Sequence, residues 1–182
     1  MKPSTALLSA SFFGMICMAL WSCESPNARQ TAKANSDYLL MFEDSLTGQQ
    51  GYRDQQGEVV IPLGKYTLCI TDTFAHHAVV LTQRGFAVID RTQKVLYKVF
   101  TYDNGPDYPS DGLFRIVEGG KIGYADAATY EVVIRPQFDC AYPFENGLAR
   151  VSNDCRTEQS GEHSSWESEH WQNIDQQGNV VE

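Results

Sequence analysis

The 182-residue chain is poor in positive charge: 14 lysines and arginines stand against 23 aspartates and glutamates, a formal net charge of −9. Such a surface is repelled by phosphate backbones and anionic headgroups, which excludes a nucleic-acid role. Apolar residues at helical spacing are absent, and so are Gly-x-Ser-x-Gly, a phosphate-binding loop, a dinucleotide fingerprint, His-x-x-x-His and paired Cys-x-x-Cys. No catalytic or metal framework can therefore be read from spacing, no cofactor is implied, and the balance shifts from an enzyme toward a binding or scaffolding module. Cysteine is scarce beyond the N-terminal region, where Cys69, Cys140 and Cys155 remain. An odd count argues against a disulfide framework, although Cys140 and Cys155 could join in an oxidising compartment and leave Cys69 free and buried. The one long uncharged run, Ala6 to Trp21, is shorter than the roughly 20 apolar residues that span a bilayer.

What the chain does contain is a period. Asp54, Asp90 and Asp126 are 36 residues apart, and His77, Gly112 and Gly147 follow at spacings of 35. A beat of this size marks a repeat protein, in which each unit must stack on its neighbours to bury its apolar face. The third unit is the clearest: Gly123-Tyr124-Ala125-Asp126, then Glu131 to Ile134, Pro136, Phe138-Asp139, and Phe144-Glu145-Asn146-Gly147-Leu148-Ala149-Arg150-Val151. Unit one carries Gly51-Tyr52-Arg53-Asp54 and Glu58-Val59-Val60-Ile61-Pro62. In unit two Gly85 and Phe86 lead to Asp90, and Gly112-Leu113-Phe114-Arg115-Ile116 follows. A fourth copy begins at Trp171 and reaches Asp175, 49 residues after Asp126, so it follows one period plus an insertion of 13. The pattern resembles the WG-repeat family, also known as KWG repeats, over residues 50–182. That resemblance implies a repeat-built, largely β architecture with no shared catalytic residues.

The N-terminal residues set an address. Lys2 and the uncharged run after it form the basic start and apolar middle of a secretory leader. Leu20-Trp21-Ser22-Cys23 resembles the bacterial lipoprotein box, and by that resemblance residues 1–22 are removed and Cys23 becomes the lipidated first residue of the mature chain. Residues 23–37 hold no large apolar side chain and read as a flexible tether. Residues 38–182 are then one domain of ordinary size, held at the cell envelope, on the inner or the outer membrane, by its lipid anchor alone.

The expected fold is all-β: tandem three-stranded antiparallel units of about 36 residues, set as an open stack or a closed ring. Strands are expected near residues 38–42, 50–54, 58–62, 77–82, 85–90, 94–99, 112–118, 121–126, 131–135, 147–152, 171–175 and 178–181. The Glu-Val-Val-Ile run of unit three places Val133 in the core. Asp-Gln-Gln-Gly links, Asp54 with Gly57 and Asp175 with Gly178, put Asp first and Gly last in a type I turn. The recurring aspartates are thus turn residues rather than a converging catalytic pair. His76 and His77 are adjacent and would point to opposite faces of a strand, so they cannot share a metal; His77 reads as a turn residue substituted for glycine. Asp103-Asn104-Gly105-Pro106-Asp107 reads as a surface turn and lacks the frame of a calcium loop.

The insertion at 152–170 is the least regular part of the domain and its most promising surface. His163, Trp166 and His170, with Trp171 after it, are the binding candidates, because long loops on rigid scaffolds carry contacts and exposed aromatics anchor them. The expected function is a non-catalytic envelope module that contacts a protein or an envelope polymer. The alternatives are a metal-dependent or carbohydrate-active enzyme working through the insertion, and a structural spacer.

Overall fold

The computed structural model describes residues 37–161 and 163–181. The expected leader, Cys23 and the tether up to residue 36 lie outside the described residues. Every regular element among those described is a β-strand. Unit one comprises β1 (Leu39–Glu43), β2 (Gln50–Arg53) and β3 (Val59–Ile61), and two short strands follow, β4 (Leu68–Cys69) and β5 (Thr73–Phe74). Unit two is β6 (His77–Thr82), β7 (Gly85–Asp90) and β8 (Val95–Val99). A small hairpin, β9 (Thr101–Tyr102) and β10 (Gly105–Pro106), precedes unit three, which is β11 (Leu113–Glu118), β12 (Lys121–Asp126) and β13 (Val132–Phe138). After β14 (Cys140–Ala141), unit four opens with β15 (Leu148–Ser152). It is interrupted by β16 (Arg156–Ser160) and β17 (His163–Glu167), then finishes with β18 (Gln172–Asp175) and β19 (Val180–Val181).

The units are three-stranded and antiparallel, but they do not all form separate sheets. β8 also pairs with β11, Ile116 opposite Val99, so units two and three share one seven-stranded sheet in the order β13-β12-β11-β8-β7-β6-β4. Units one and four each form a four-stranded sheet, β3-β2-β1-β5 and β14-β15-β18-β19.

Each unit turns on its aspartate, and local chemistry explains why. In Asp54–Gly57, Gly57 N–H donates to the Asp54 carbonyl (3.1 Å) and Asp54 N–H to the Glu58 carbonyl (2.9 Å), with Gly57 at φ 91°. This is a type I turn closed by a left-handed residue, a common three-residue hairpin loop. The Asp54 carboxylate fastens it by accepting from the amides of Gln56 and Glu58, both at 2.9 Å. Asp90 and Asp175 repeat the arrangement with Thr92 and Lys94, and with Gln177 and Asn179. Asp126 does so in a loop one residue longer, ending on Tyr130 at φ 62°.

Three buried clusters lie at the three junctions between successive units. Leu39, Tyr52 and Ile61 meet Ala78, Val80 and Ile89 between units one and two. Phe86, Val88 and Val99 meet Phe114, Ile116 and Ala125 between two and three. Tyr124, Ile134 and Phe138 meet Phe144, Val151 and Ile174 between three and four. Within β7 and β12 the four central residues are all buried, because both faces of these strands are covered.

Several sequence expectations change here. Val133 does not face the core: it is 43% exposed while Ile134 is 3% exposed. Tyr124 pairs with Ile134 and Ala125 with Val132, so Val133 is the extra residue of a β-bulge that breaks the alternation. His77 is not a turn residue. It opens β6 opposite Asp90, as Leu113 stands opposite Asp126 and Leu148 opposite Asp175, so the glycine register slips by one in unit two. Gly112 and Gly147 do turn, following Asp111 (φ 51°) and Asn146 (φ 54°) in two-residue hairpin-type turns. Asp107 is not on a surface turn but buried at 7% exposure. Finally, the insertion is not an irregular loop: β16 and β17 form a two-stranded hairpin from Arg156 opposite Glu167 to Ser160 opposite His163.

Candidate functional site

The hairpin is closed at its foot by covalent and polar contacts. Cys140 on β14 is joined to Cys155 with Cα atoms 6.0 Å apart, inside the usual span for a disulfide, while Cys69 is free and buried. Asp154 accepts hydrogen bonds from Ser152 Oγ (2.7 Å) and Ser168 Oγ (2.5 Å), and its other oxygen contacts His170 Nδ1. The bond from Ser168, followed by those from His170 and Ser152, holds the Asp154 carboxyl well below the usual carboxylate range. A histidine oriented in this way resembles half of a catalytic dyad. Both serines bond the carboxylate rather than the imidazole, so the nucleophile–base contact of such a dyad is not formed by them. Among the described residues, no group of three or more His, Cys, Asp or Glu is placed to hold a metal.

The four binding candidates separate into three positions. His163 is at the hairpin tip. His170 is at the foot, with its side chain 76% exposed. Trp166 and Trp171 belong together, half-buried on either side of Tyr142 with ring centroids 5.4 Å from it in each case. Trp166 also meets the Phe100 ring edge-to-face at 5.8 Å and packs against the cluster between units three and four. Phe100, Trp166, Tyr142 and Trp171 thus form a continuous row of rings.

Opposite the β16–β17 hairpin stands the β9–β10 hairpin, and between them opens a cleft of about 1020 Å³ lined by Tyr102, Asn104, Pro143, Ser164, Ser165 and Trp166 among others. Arg115 is among its lining residues. The Arg115 guanidinium lies 4.2 Å from the Phe100 centroid and is paired with the Asp107 carboxylate through Nε and Nη2. Arg115 N–H and Nη1 donate to Asp107 and to the Ala141 carbonyl, so this buried pair is well satisfied. A second hollow of about 530 Å³, lined by Ser110, Glu145, Arg150 and Asn173, shares Tyr142 and Pro143 as its wall. There the Arg150 guanidinium sits 4.2 Å over Trp171 and 5.3 Å over Tyr142.

Tyr102, Tyr142, Asp107 and both arginines were not identified by sequence reasoning. A signal for the arginines was present, since Gly112-Leu113-Phe114-Arg115 and Gly147-Leu148-Ala149-Arg150 place them at the same step of the repeat. Asp107 gave no signal, because Asp-Asn-Gly-Pro-Asp reads as turn chemistry throughout.

Residues 122–154 match the family model described as WG containing repeat. The match spans β12 to the end of β15, taking in the aspartate turn, the bulge and the Phe144–Val151 segment. No curated protein and no solved structure matches the chain.

Proposed function

We propose that this WG-like β-repeat chain is a non-catalytic binding module of the bacterial cell envelope, anchored by lipid at Cys23, that engages an envelope protein or polymer through the cleft between its β9–β10 and β16–β17 hairpins. The observation that supports this reading is the ring row Phe100, Trp166, Tyr142 and Trp171, half open to solvent along a concave surface. Aromatic rings and arginines concentrate binding energy where they are partly desolvated and rigidly held. The rings are held by packing on one another, edge-on except for the tilted Tyr142–Trp171 pair, and by the disulfide and Asp154 contacts beneath the hairpin. The acidic surface repels extended anions over most of its area, so a negatively charged partner is met only where a local cation such as Arg150 faces it.

The test is in-cell cross-linking with mass spectrometry of the full chain beside a variant lacking residues 156–167, with Cys23→Ala as the localisation control. The remaining ends are already joined through Ser168 and Asp154, so the deletion closes without a gap, and a melting temperature near that of the parent checks that the cluster between units three and four tolerates the loss of Trp166. A partner captured by the full chain and lost with the hairpin supports the module. Identical captures from both chains would remove the cleft from the binding role. The contact between His170 and Asp154 favours a second reading, hydrolysis through the insertion, whose mark would be turnover of an envelope polymer abolished by His170→Ala.

A further inference from the structure

Arg115 and Arg150 occupy the same place in two successive units, and their different surroundings are informative. Arg115 pairs with Tyr124 across the sheet and Arg150 with Asn173, each two residues before its turn aspartate. The Arg115 carbonyl accepts from Phe100 N–H (3.0 Å) and the Arg150 carbonyl from Tyr142 N–H (2.9 Å). Phe100 and Tyr142 are therefore equivalent, and each carries an arginine over its ring.

The chain between these paired residues differs in length. From Phe100 to Arg115 it includes the β9–β10 hairpin, which brings the Asp107 carboxylate onto the guanidinium. From Tyr142 to Arg150 it runs only through the Asn146-Gly147 turn, and its one carboxylate, Glu145, makes no ion pair with the guanidinium. Among the described residues Arg150 forms no ion pair, although Glu145 lines the same hollow. Arg150 is exposed, yet its guanidinium rests against the Trp171–Tyr142 ring pair, nearer to Trp171. A guanidinium resting on aromatic rings, with no ion pair of its own, keeps N–H groups free for a carboxylate, the planar partner it binds best.

We propose that the Arg150 hollow is the binding subsite for a carboxylate of an external ligand, filling the place that Asp107 fills in unit three, and that the ligand is a carboxylated saccharide strand. The subsite deepens the binding-module reading and rests on it. The saccharide class follows from the neighbouring walls. Rings present flat faces, whose negative quadrupole suits the C–H face of a sugar. Asn173 and Ser110 line the hollow, and the serines and Tyr102 of the adjoining cleft extend the polar lining beyond Tyr142 and Pro143. A strand crossing Tyr142 would meet both hollows.

Trp21, Trp166 and Trp171 are the three tryptophans of the chain, so in a Trp21→Phe background intrinsic fluorescence reports on the two at this site. The full chain in that background is titrated with tetragalacturonate, with its fully methyl-esterified form, and with tetraglutamate as the peptide probe. Tetragalacturonate is expected to change the emission and to bind at least about tenfold tighter than the ester, since a charge-assisted bidentate contact is lost on esterification. Arg150→Gln should abolish that preference, and Arg150→Lys should lose most of it, because a lysine has no fork to match the carboxylate. Both replacements are at an exposed position, and an unchanged melting temperature would confirm that the fold is retained.

Equal binding of acid and ester, an Arg150→Gln chain that binds like the parent, or no response to tetragalacturonate would each overturn the subsite. Tetraglutamate binding as tightly as tetragalacturonate would overturn the saccharide class. A protein partner cross-linked at the cleft alongside silent sugar titrations would defeat this inference while sparing the module.

Discussion

Gly51 and Gly123 have a steric role that differs from that of the turn glycines. A Cβ on Gly123 would lie 2.3 Å from the Ile134 carbonyl oxygen and 2.5 Å from Pro136 N; on Gly51 it would lie 2.6 Å from the Ile61 carbonyl oxygen. Backbone cannot yield as a side chain can, so Gly123→Ala is expected to cost roughly 1–3 kcal/mol, or more if the bulge cannot shift. Urea denaturation measures it, and a midpoint equal to that of the parent would show that the bulge moves freely. The neighbouring bulge makes a second prediction. Val133→Asp, on the exposed bulge residue, should change stability by only about 0.5 kcal/mol, whereas Ile134→Ala should cost about 2–5 kcal/mol. Thermal melts of the two proteins decide the orientation of the strand. The turn aspartates add a pH dependence. Hydrogen bonds from Thr92 to Asp90, from Thr129 and Ala128 to Asp126, and from Asn179 to Asp175 lower all three carboxyls below their ordinary value. A lowered folded pKa adds stability above the unfolded value, about 3.9, and that contribution disappears as pH falls through the folded value. Stability measured by denaturant titration should therefore be insensitive to these groups at neutral pH and decline below about pH 4. In a chain with Asp90, Asp126 and Asp175 all changed to Asn the decline should be shallower.

At the scale of elements, the regular units were readable because their determinants are local: an aspartate that caps its own turn, β-branched runs and glycines at left-handed positions. All twelve expected strands are present, with the expected ends at 77–82, 85–90 and 121–126 and shifted ends in the other nine. The β16–β17 hairpin was not readable, because Arg-Thr-Glu-Gln-Ser and His-Ser-Ser-Trp-Glu carry no apolar alternation. Its ends are drawn together by Cys140, Ser152 and Ser168, which lie outside those strands. The junction of β8 with β11 is not legible in the sequence because a long connection separates the two strands. Asp107 and Arg115 were hidden for a similar reason: their pairing depends on how the β9–β10 hairpin folds back. Removing one partner leaves a buried charge, so Asp107→Asn is expected to cost about 3–5 kcal/mol, while Asp107→Leu combined with Arg115→Met should recover much of the loss. A double-mutant cycle by chemical denaturation gives the coupling, and additive losses would show the pair to be independent.

At the scale of the whole molecule, the described domain is a row of junctions, each sealed by its own apolar cluster. Stability in such an arrangement is a sum of unit and nearest-neighbour contributions. Ile174, 1% exposed between units three and four, is a local probe. Ile174→Ala should cost about 2–5 kcal/mol. In hydrogen exchange the lost protection should fall on β12, β15 and β18, with β1 and β2 retaining theirs. Uniform loss across all four units would indicate one cooperative block instead.

The contact between Asp154 and Ser168 has an evolutionary consequence. From Gly112 to Gly147 the chain is bound to its period, because the Asp111 carboxylate accepts from Gly147 N–H and Ser110 Oγ donates to the Phe144 carbonyl, so a change of length there would pull two turns apart. After Ser152 the period is released: the chain departs and returns through two residues already in contact. Unit four can therefore exchange the segment between them as a cassette. New loops of any length whose ends meet at that distance can be trialled, by selection or by a protein engineer, while the scaffold beneath is inherited unchanged.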